Sequence, residues 1–177
     1  MNPWHDINSN RITPDEFEVV IEISSGSKNK YELDKDTGML KLDRILYTST
    51  HYPSNYGFIP KTYGDDGDPL DVLVLCSQSI MPMTLVRCYP IGVIKMVDQG
   101  KNDEKIIAIC KDDPMYNCYK SIDELPLHMA EEIRHFFKVY KSLEDNKHTE
   151  VPCVESKESA IQVIKNGIQN YKFKFHN

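Results

Sequence analysis

The segments TLVRCYPIGVIKMVD (84–98) and EKIIAIC (104–110), joined by a short polar stretch that begins with QGKN (99–102), predict a long β-hairpin. Apolar and β-branched residues recur through both segments, as in buried strands. Four more strands are predicted, at FEVVIEI (17–23), KYEL (30–33), MLKLDRIL (39–46) and DVLVL (71–75). Most connections between these strands are too short for crossover helices. We therefore expect a curled antiparallel sheet or a small barrel, and not a doubly wound sheet.

The last third of the chain changes to a helical period. The sequence SIDE (121–124) has the Ser-x-x-Glu form of a capping box, and apolar residues then recur at helical spacing. This pattern predicts an amphipathic helix at roughly 127–143. A second helix is predicted after Ser156, which Gly167 interrupts at a propensity cost of about 1 kcal/mol. The prediction is a mainly β protein with flanking helices (α+β), in a single domain over residues 1–177.

Composition excludes several classes of protein. The net charge is −6, and the lysines and arginines are scattered instead of forming a basic block, which disfavours nucleic-acid binding. The five cysteines are odd in number and form no C-x-x-C pair, which disfavours a disulfide framework or a zinc ribbon. No apolar run reaches the ~18 residues of a membrane span, and no signal peptide opens the chain. We expect a cytoplasmic protein that contacts no membrane.

The stretch DDGDPLD (65–71) places four aspartates immediately before a predicted strand. Like charges at close range raise one another's pKa values, so a metal ion, a basic neighbour or water must compensate them. Asp66, Asp68 and Asp71 surround a turn made by Gly67 and Pro69. Hard oxygen ligands of this kind suit Mg²⁺, Mn²⁺ or Ca²⁺, although the spacing does not fit an EF-hand. An acidic, solvated turn is the alternative.

Further acidic residues lie in or beside the predicted strands. Asp98 and Asp103 border the turn of the long hairpin, where they could meet the aspartate cluster across the barrel mouth or form a solvated loop. Glu22 and Glu32 each place an acid within a strand suited to burial. Ion pairing at the strand ends is the alternative for these two.

Basic and phenolic residues accompany these acids. Lys30, Arg44, Lys105 and Lys141 could form simple ion pairs, or could join a metal in a phosphate site. Three tyrosines, namely Tyr52, Tyr56 and Tyr140, suit either core packing or hydrogen bonding to a phosphate oxygen. The histidines show no H-E-x-x-H spacing, and Cys76 lies in no nucleophile motif, so a zinc hydrolase and a Cys-His enzyme are unsupported.

On these residues, the chain resembles the soluble family I inorganic pyrophosphatases, chiefly the short bacterial type. The segment DGDPLDV (66–72) matches the family signature Asp-x-Asp-Pro-apolar-Asp-apolar. The resemblance extends from about residue 17 to 145. It continues through VIEI, KYELD, DRIL, HYPSNYGFIP, VRCYPIGVIKMVD, DEK and HFFKVYKSLE.

The resemblance implies Mg²⁺-dependent hydrolysis of inorganic pyrophosphate to two orthophosphates by a metal-activated water, without a covalent intermediate. Several Mg²⁺ ions per site are implied, with Mn²⁺ or Zn²⁺ as substitutes. The implied metal set is Asp66, Asp71, Asp98 and Asp103, with Glu22 and Glu32 holding metal-bound waters. The implied substrate-binding set is Lys30, Arg44, Tyr56, Lys105, Tyr140 and Lys141. Asp68 resembles the general base of the family, and Tyr52 would support the same network.

The resemblance also implies a five-stranded barrel of the oligonucleotide-binding (OB) type and a homohexamer built from two trimers. The family often places histidines on the helix containing HFF (135–137) at a subunit contact. His135 is present here, but Val139 stands where some relatives have histidine. This departure bears on the stability of the hexamer and its pH response, and not on catalysis.

Two other functions compete with this reading. A Mg²⁺-dependent phosphohydrolase acting on nucleotides or polyphosphate could use similar carboxylates and cations. A non-catalytic barrel that binds oligonucleotides or phosphate could retain the same acidic loops. The acidic mouth argues against nucleic acid, since single-stranded nucleic acid is bound by basic grooves with stacked aromatic residues.

Overall fold

The computed structural model describes residues 1–145, 150 and 152–175. The helices are α1 (Pro3–Asp6), α2 (Leu127–Val139) and α3 (Lys157–Phe175). The strands are β1 (Phe17–Ile23), β2 (Asn29–Leu33), β3 (Leu40–Ile45), β4 (Asn55–Phe58), β5 (Asp71–Leu75), β6 (Leu85–Asp98), β7 (Lys101–Cys110) and β8 (Cys153–Glu155). Within these residues, no helix is long and apolar enough to cross a membrane.

Five strands close into a ring in the order β1-β4-β5-β7-β6, and β6 returns to pair with β1. β8 extends the sheet beyond β6, while β2 and β3 form a separate hairpin. The ring confirms the predicted OB-like barrel. Neighbouring strands of this ring are antiparallel except at one place, where β5 and β7 run parallel. The intervening β6 carries the chain back along the barrel, which allows a parallel pair without a crossover helix.

The long hairpin turns more tightly than the sequence suggests. β7 begins at Lys101, three residues before the predicted start at 104, so that only Gln99 and Gly100 remain outside the strands. Their φ angles are 50° and 78°, both in the left-handed region required by a type I′ turn. The tight turn brings Asp98 and Asp103 to the same end of the barrel.

The short strand β4 was not predicted. Asn55 and Gly57 have low strand propensity, yet all four residues are buried between β1 and β5. A Cβ atom on Gly57 would lie 1.9 Å from the carbonyl oxygen of Val20, so only glycine permits this approach to β1. Packing therefore decides the strand where local propensity does not.

Both faces of the barrel strands are buried, which explains their continuous apolar runs. In β5, Leu73 and Leu75 join the core that includes Phe136 and Phe137 of α2. The alternate residues Val72 and Val74 join a second core, against which α3 packs with Ala160, Val163 and Ile164. Each of the two C-terminal helices therefore buries one apolar face against the barrel.

Helix boundaries differ from the prediction at α2. The helix ends at Val139, four residues before the predicted end at 143, and Tyr140 is its C-terminal cap. The capping-box sequence forms a separate 3₁₀ turn, Ile122–Glu124, in which the Ser121 side chain accepts a hydrogen bond from the amide of Asp123. Pro126 is the N-cap that precedes α2, a position where the missing amide of proline costs no helical hydrogen bond.

Candidate active site

One cavity of about 520 Å³ opens at the end of the barrel where β5 begins and the β6–β7 hairpin turns. All the candidate site residues from the sequence line it: Glu22, Lys30, Glu32, Arg44, Tyr52, Tyr56, Asp66, Asp68, Asp71, Asp98, Asp103, Lys105, Tyr140 and Lys141. The barrel topology brings them together, since they come from the strands β1 to β7, the loops that precede β4 and β5, and the end of α2.

Lys105 lies at the floor of this cavity and is only 3% exposed. The parallel pairing of β5 with β7 sets Asp71 opposite Lys105, and Asp103 lies two residues earlier on the same face. The lysine Nζ donates to Asp71 Oδ2 at 2.9 Å, to Asp103 Oδ1 at 3.1 Å and to the Tyr56 hydroxyl at 2.9 Å. Burial opposes the charge, but Asp103 and Asp71 outweigh it and hold the pKa of Lys105 well above its usual value.

A second ion pair closes the side of the cavity near the hairpin turn. Lys141, just after α2, donates to Asp98 Oδ2 at 2.6 Å, which links the helix to the end of β6. The other oxygen, Asp98 Oδ1, is buried without a hydrogen-bond partner among the described residues. A cation placed beside this oxygen would satisfy it.

The β2–β3 hairpin contributes a network of alternating charges. Lys30 pairs with Glu32 and reaches Asp43 Oδ2 at 3.3 Å, while Arg44 pairs with Asp43 and places its Nε 3.1 Å from Glu144 Oε1. Sequence reasoning missed Asp43 and Glu144. Asp43 is visible beside Arg44, whereas only the tertiary fold brings Glu144 from beyond α2 to this hairpin.

Two acids in the cavity have raised pKa values. Burial, followed by the nearby Asp71, raises the pKa of Glu22 to about 8, even though the amide of Leu33 donates to it at 2.8 Å. Burial also raises the pKa of Asp66 to about 6, with further contributions from surrounding aspartates. Such crowding favours uptake of a cation, since added positive charge lowers the free energy of the ionised carboxylates.

Asp68 lies on the turn before β5, where Gly67 adopts a φ of +90°. Its carboxylate is half exposed and pairs with Lys35, a lysine in the turn between β2 and β3. Lys35 also lines the cavity and was missed in the sequence. The segment DKDTG (34–38) is typical of a turn, but this pattern does not show where the lysine side chain points.

The three candidate tyrosines are buried in an aromatic cluster with two phenylalanines of α2. The ring centroids of Tyr52 and Phe136 are 4.8 Å apart, and those of Tyr52 and Tyr56 are 5.2 Å apart. Burial is the main cause that raises the pKa values of Tyr52, Tyr56 and Tyr140 above the usual range of tyrosine. Their hydroxyls therefore stay protonated and can donate to an anion.

The donor set fits a hard divalent cation, because every acidic ligand offers carboxylate oxygen. Within the described part of the chain, no three acidic, histidine or cysteine side chains converge closely enough to form a finished metal site. Lysines separate the carboxylates, as Lys105 does between Asp71 and Asp103. The unpaired Asp98 Oδ1 and the similarly buried, unpaired Arg44 Nη2 offer places for a cation and an anion, respectively.

Comparison with known proteins identifies the family. The family model for inorganic pyrophosphatase matches residues 19–172. The chain is 49% identical over 170 residues to soluble inorganic pyrophosphatase 1 of Arabidopsis thaliana, an alignment that covers 96% of this chain and 80% of the relative. It is also 49% identical over 173 residues to soluble inorganic pyrophosphatase 2 of Chlamydomonas reinhardtii, covering 97% and 88% of the two chains.

Solved structures agree with this identification. The inorganic pyrophosphatase of Thermus thermophilus superposes with a TM-score of 0.93 at 36% identity, covering 97% of this chain and 99% of that one. The Helicobacter pylori inorganic pyrophosphatase gives a TM-score of 0.87 at 46% identity, covering 90% and 95%. With the barrel, the charged cavity and these similarities, the chain belongs to the soluble family I inorganic pyrophosphatases.

Proposed function

We propose that the barrel-mouth cavity hydrolyses inorganic pyrophosphate to two orthophosphates with Mg²⁺ as the cofactor. The main support for this proposal is that carboxylates, fixed cations and protonated phenols converge around one cavity of about 520 Å³. A phosphoanhydride with several negative charges requires both divalent metal and fixed positive side chains. The pairing of lysines with carboxylates supplies the two kinds of charge side by side.

Asp66, Asp71, Asp98 and Asp103 would hold the metal, and Glu22 and Glu32 would accept hydrogen bonds from its waters. Bound Mg²⁺ supplies positive charge that lowers the pKa of water and neutralises phosphate oxygens. Mn²⁺ or Zn²⁺ would serve as substitutes. The unpaired buried oxygen of Asp98 is the structural feature that supports this assignment.

The remaining residues act on the substrate. Lys30, Arg44, Lys105 and Lys141, with the hydroxyls of Tyr56 and Tyr140, would bind and orient the phosphates and stabilise the charge of the departing one. Asp68 would accept the proton of the attacking water as general base. Tyr52 would support the same network. Attack by water requires no phosphorylated side chain, so both products leave as orthophosphate.

The exchange of one carboxylate for an amide tests this proposal. Asp68→Asn is expected to lower the rate of orthophosphate release from pyrophosphate by about 100-fold or more, because the amide cannot accept the proton. Mg²⁺ binding, measured by calorimetry, should largely remain. Asp65→Asn is the matched control, since Asp65 belongs to the same loop but does not line the cavity of about 520 Å³. Turnover by Asp68→Asn equal to that of the parent protein would contradict the assignment of the base.

We further propose that residues 1–177 act as a single pyrophosphatase domain in the cytoplasm and assemble into a homohexamer of two trimers. His135 is exposed on α2, where it could meet a second subunit, while Val139 is half buried at the end of the helix. Sedimentation analysis tests the assembly, and a monomeric species at micromolar concentration would contradict it. The proposed partners remain small-molecule pyrophosphate and further copies of this chain.

A further inference from the structure

We propose that Lys35 is a positioning residue that holds the Asp68 carboxylate in its working orientation, and that the N-terminal segment (residues 1–6) fixes Lys35 in place. The contact that suggests it is the ion pair between Lys35 Nζ and Asp68 Oδ1. The inference rests on the proposed function, because it concerns the residue that would act as base.

The backbone around Lys35 is held by its own turn. The Asp34 side chain accepts hydrogen bonds from the amides of Asp36 at 3.1 Å and Thr37 at 2.9 Å, as in an Asx turn. The amide of Gly38, which has a φ of +73°, donates to the Asp34 carbonyl at 2.8 Å. A Cβ atom on Gly38 would lie 2.3 Å from the Met1 carbonyl oxygen, so the turn packs closely against the N-terminus.

The N-terminal segment contacts Lys35 directly. Asn2 Nδ2 donates to the Lys35 carbonyl oxygen at 2.8 Å. The Trp4 indole is 4% exposed, and Lys35 Nζ lies 5.5 Å from the centroid of its ring, within the range of a cation–π interaction. Backbone and side chain of Lys35 are therefore both held by residues of this segment.

Trp4 also contacts the loop that carries Asp68. The indole Nε1 donates to the Thr62 carbonyl at 2.9 Å, and the amide of Lys61 donates to the Trp4 carbonyl at 3.1 Å. The Thr62 hydroxyl in turn accepts a hydrogen bond from the amide of Leu70 at 2.9 Å. The buried Trp4 side chain thus fixes the distance between the turn that carries Lys35 and the turn that carries Asp68.

The position of Asp68 explains why such support matters. Asp68 follows Gly67 on an exposed turn, and its carboxylate is 50% exposed, so surrounding packing does not select its rotamer. A general base must lie within hydrogen-bond reach of the proton that it accepts, and small misplacements cost large factors in rate. The ion pair itself is screened by water and contributes little to the stability of the fold.

Steady-state kinetics with pyrophosphate and Mg²⁺, run on Lys35→Ala, Lys35→Arg and Lys111→Ala, test the inference. Lys111 is the matched control, because its pair with Glu16 is similarly exposed but lies beyond the opposite end of β7. Lys35→Ala should lower kcat by about tenfold with KM and the melting temperature nearly unchanged, as for residues that orient a reactive group through another. Lys35→Arg should recover most of the rate, and Lys111→Ala should match the parent protein.

A rise in KM at unchanged kcat for Lys35→Ala would overturn the positioning role, since it would make Lys35 a substrate-binding residue. An equal loss of rate in Lys111→Ala would also overturn it, by showing a general effect of surface pairs. Trp4→Phe removes the indole donor and should also lower kcat, but by a smaller factor than Lys35→Ala does. An unchanged kcat in Trp4→Phe would show that Trp4 does not help to position Lys35. A parent protein that does not hydrolyse pyrophosphate would instead contradict the proposed function.

Discussion

Lys105 shows how single residues balance charge in this site. Its buried ammonium group lies between Asp71 and Asp103, both within 3.1 Å, and without it the two carboxylates would repel each other in a poorly solvated place. The proposed metal ions would take over part of the same role. The stability of this region is therefore coupled to the presence of cations.

Lys105→Met tests this coupling. In the presence of a chelator, the substitution should lower the free energy of unfolding by about 3 kcal/mol, because it leaves buried carboxylates without their partner. Added Mg²⁺ should recover part of this loss. The control is Lys101→Met, at an exposed position on the same strand, which should change stability by less than about 0.5 kcal/mol. Denaturant titration measures both, and equal stability of the two variants in chelator would contradict the charge-balance account.

Glu22 gives a pH-dependent prediction. Its pKa is raised from 4.5 to about 8 in the folded protein. Between these values the unfolded chain has released a proton that the folded chain retains, so this residue lowers stability progressively as pH rises and no further above pH 8. Without metal, Glu22→Gln should be the more stable protein at pH 8, by as much as about 5 kcal/mol, and equal to the parent near pH 4.5.

Denaturant titrations at several pH values in chelator check this expectation. The glutamine oxygen can still accept the hydrogen bond that the Leu33 amide donates to Glu22. Glu124→Gln, which neutralises an exposed acid, should show no such pH-dependent difference. A stability difference between Glu22→Gln and the parent that does not grow with pH would show that Glu22 ionises normally.

The packing of α3 explains why this helix contains Gly167 despite the low helix propensity of glycine. A Cβ atom on Gly167 would lie 2.6 Å from Leu70 Cδ1 and 3.4 Å from Thr62 Cβ, and the Gly167 carbonyl accepts a hydrogen bond from the Tyr63 amide at 2.9 Å. The helix therefore packs against the segment that leads into Asp71. Helix propensity and close packing make opposite predictions for an alanine at this position.

Gly167→Ala decides between these two effects. Propensity alone would stabilise the protein by about 1 kcal/mol, whereas overpacking a buried contact costs about 1–3 kcal/mol. We expect a net loss of stability and a lower kcat, because displacement of Leu70 shifts the neighbouring Asp71. Asn170→Ala, at an exposed position of the same helix, should be neutral or slightly stabilising. Thermal melts and pyrophosphate kinetics measure both variants. A Gly167→Ala variant more stable than the parent protein would contradict this expectation, by showing that Leu70 and Thr62 can move aside without cost.

Elements with strong local patterns could be predicted from the sequence, and those decided by tertiary packing could not. β1 and β5 have the predicted bounds because alternating or continuous apolar residues end at clear turn signals. β4 was not predicted, because Asn55 and Gly57 are poor strand formers that only the close approach to β1 selects. The early end of α2 at Val139 likewise has no local signal, since Lys141 is drawn to Asp98 across the cavity.

On the scale of the whole molecule, the barrel converts dispersed residues into one cavity. The sequence identifies their chemical types, and the family signature predicts their grouping. The sequence cannot show the pairing of Lys35 with Asp68 or of Arg44 with Glu144, because these partners are separated by 33 and 100 residues. Contacts of this range depend on how the β2–β3 hairpin lies over the barrel mouth.

The most direct test of the account is the rate of orthophosphate release from pyrophosphate, with Mg²⁺ or with chelator, beside ATP and a simple phosphomonoester at equal concentrations. We predict fast release from pyrophosphate only, and only with Mg²⁺. Equal release from ATP would contradict it in favour of a broader phosphohydrolase. No release from any substrate, by a folded protein that still binds Mg²⁺, would contradict it in favour of a binding module.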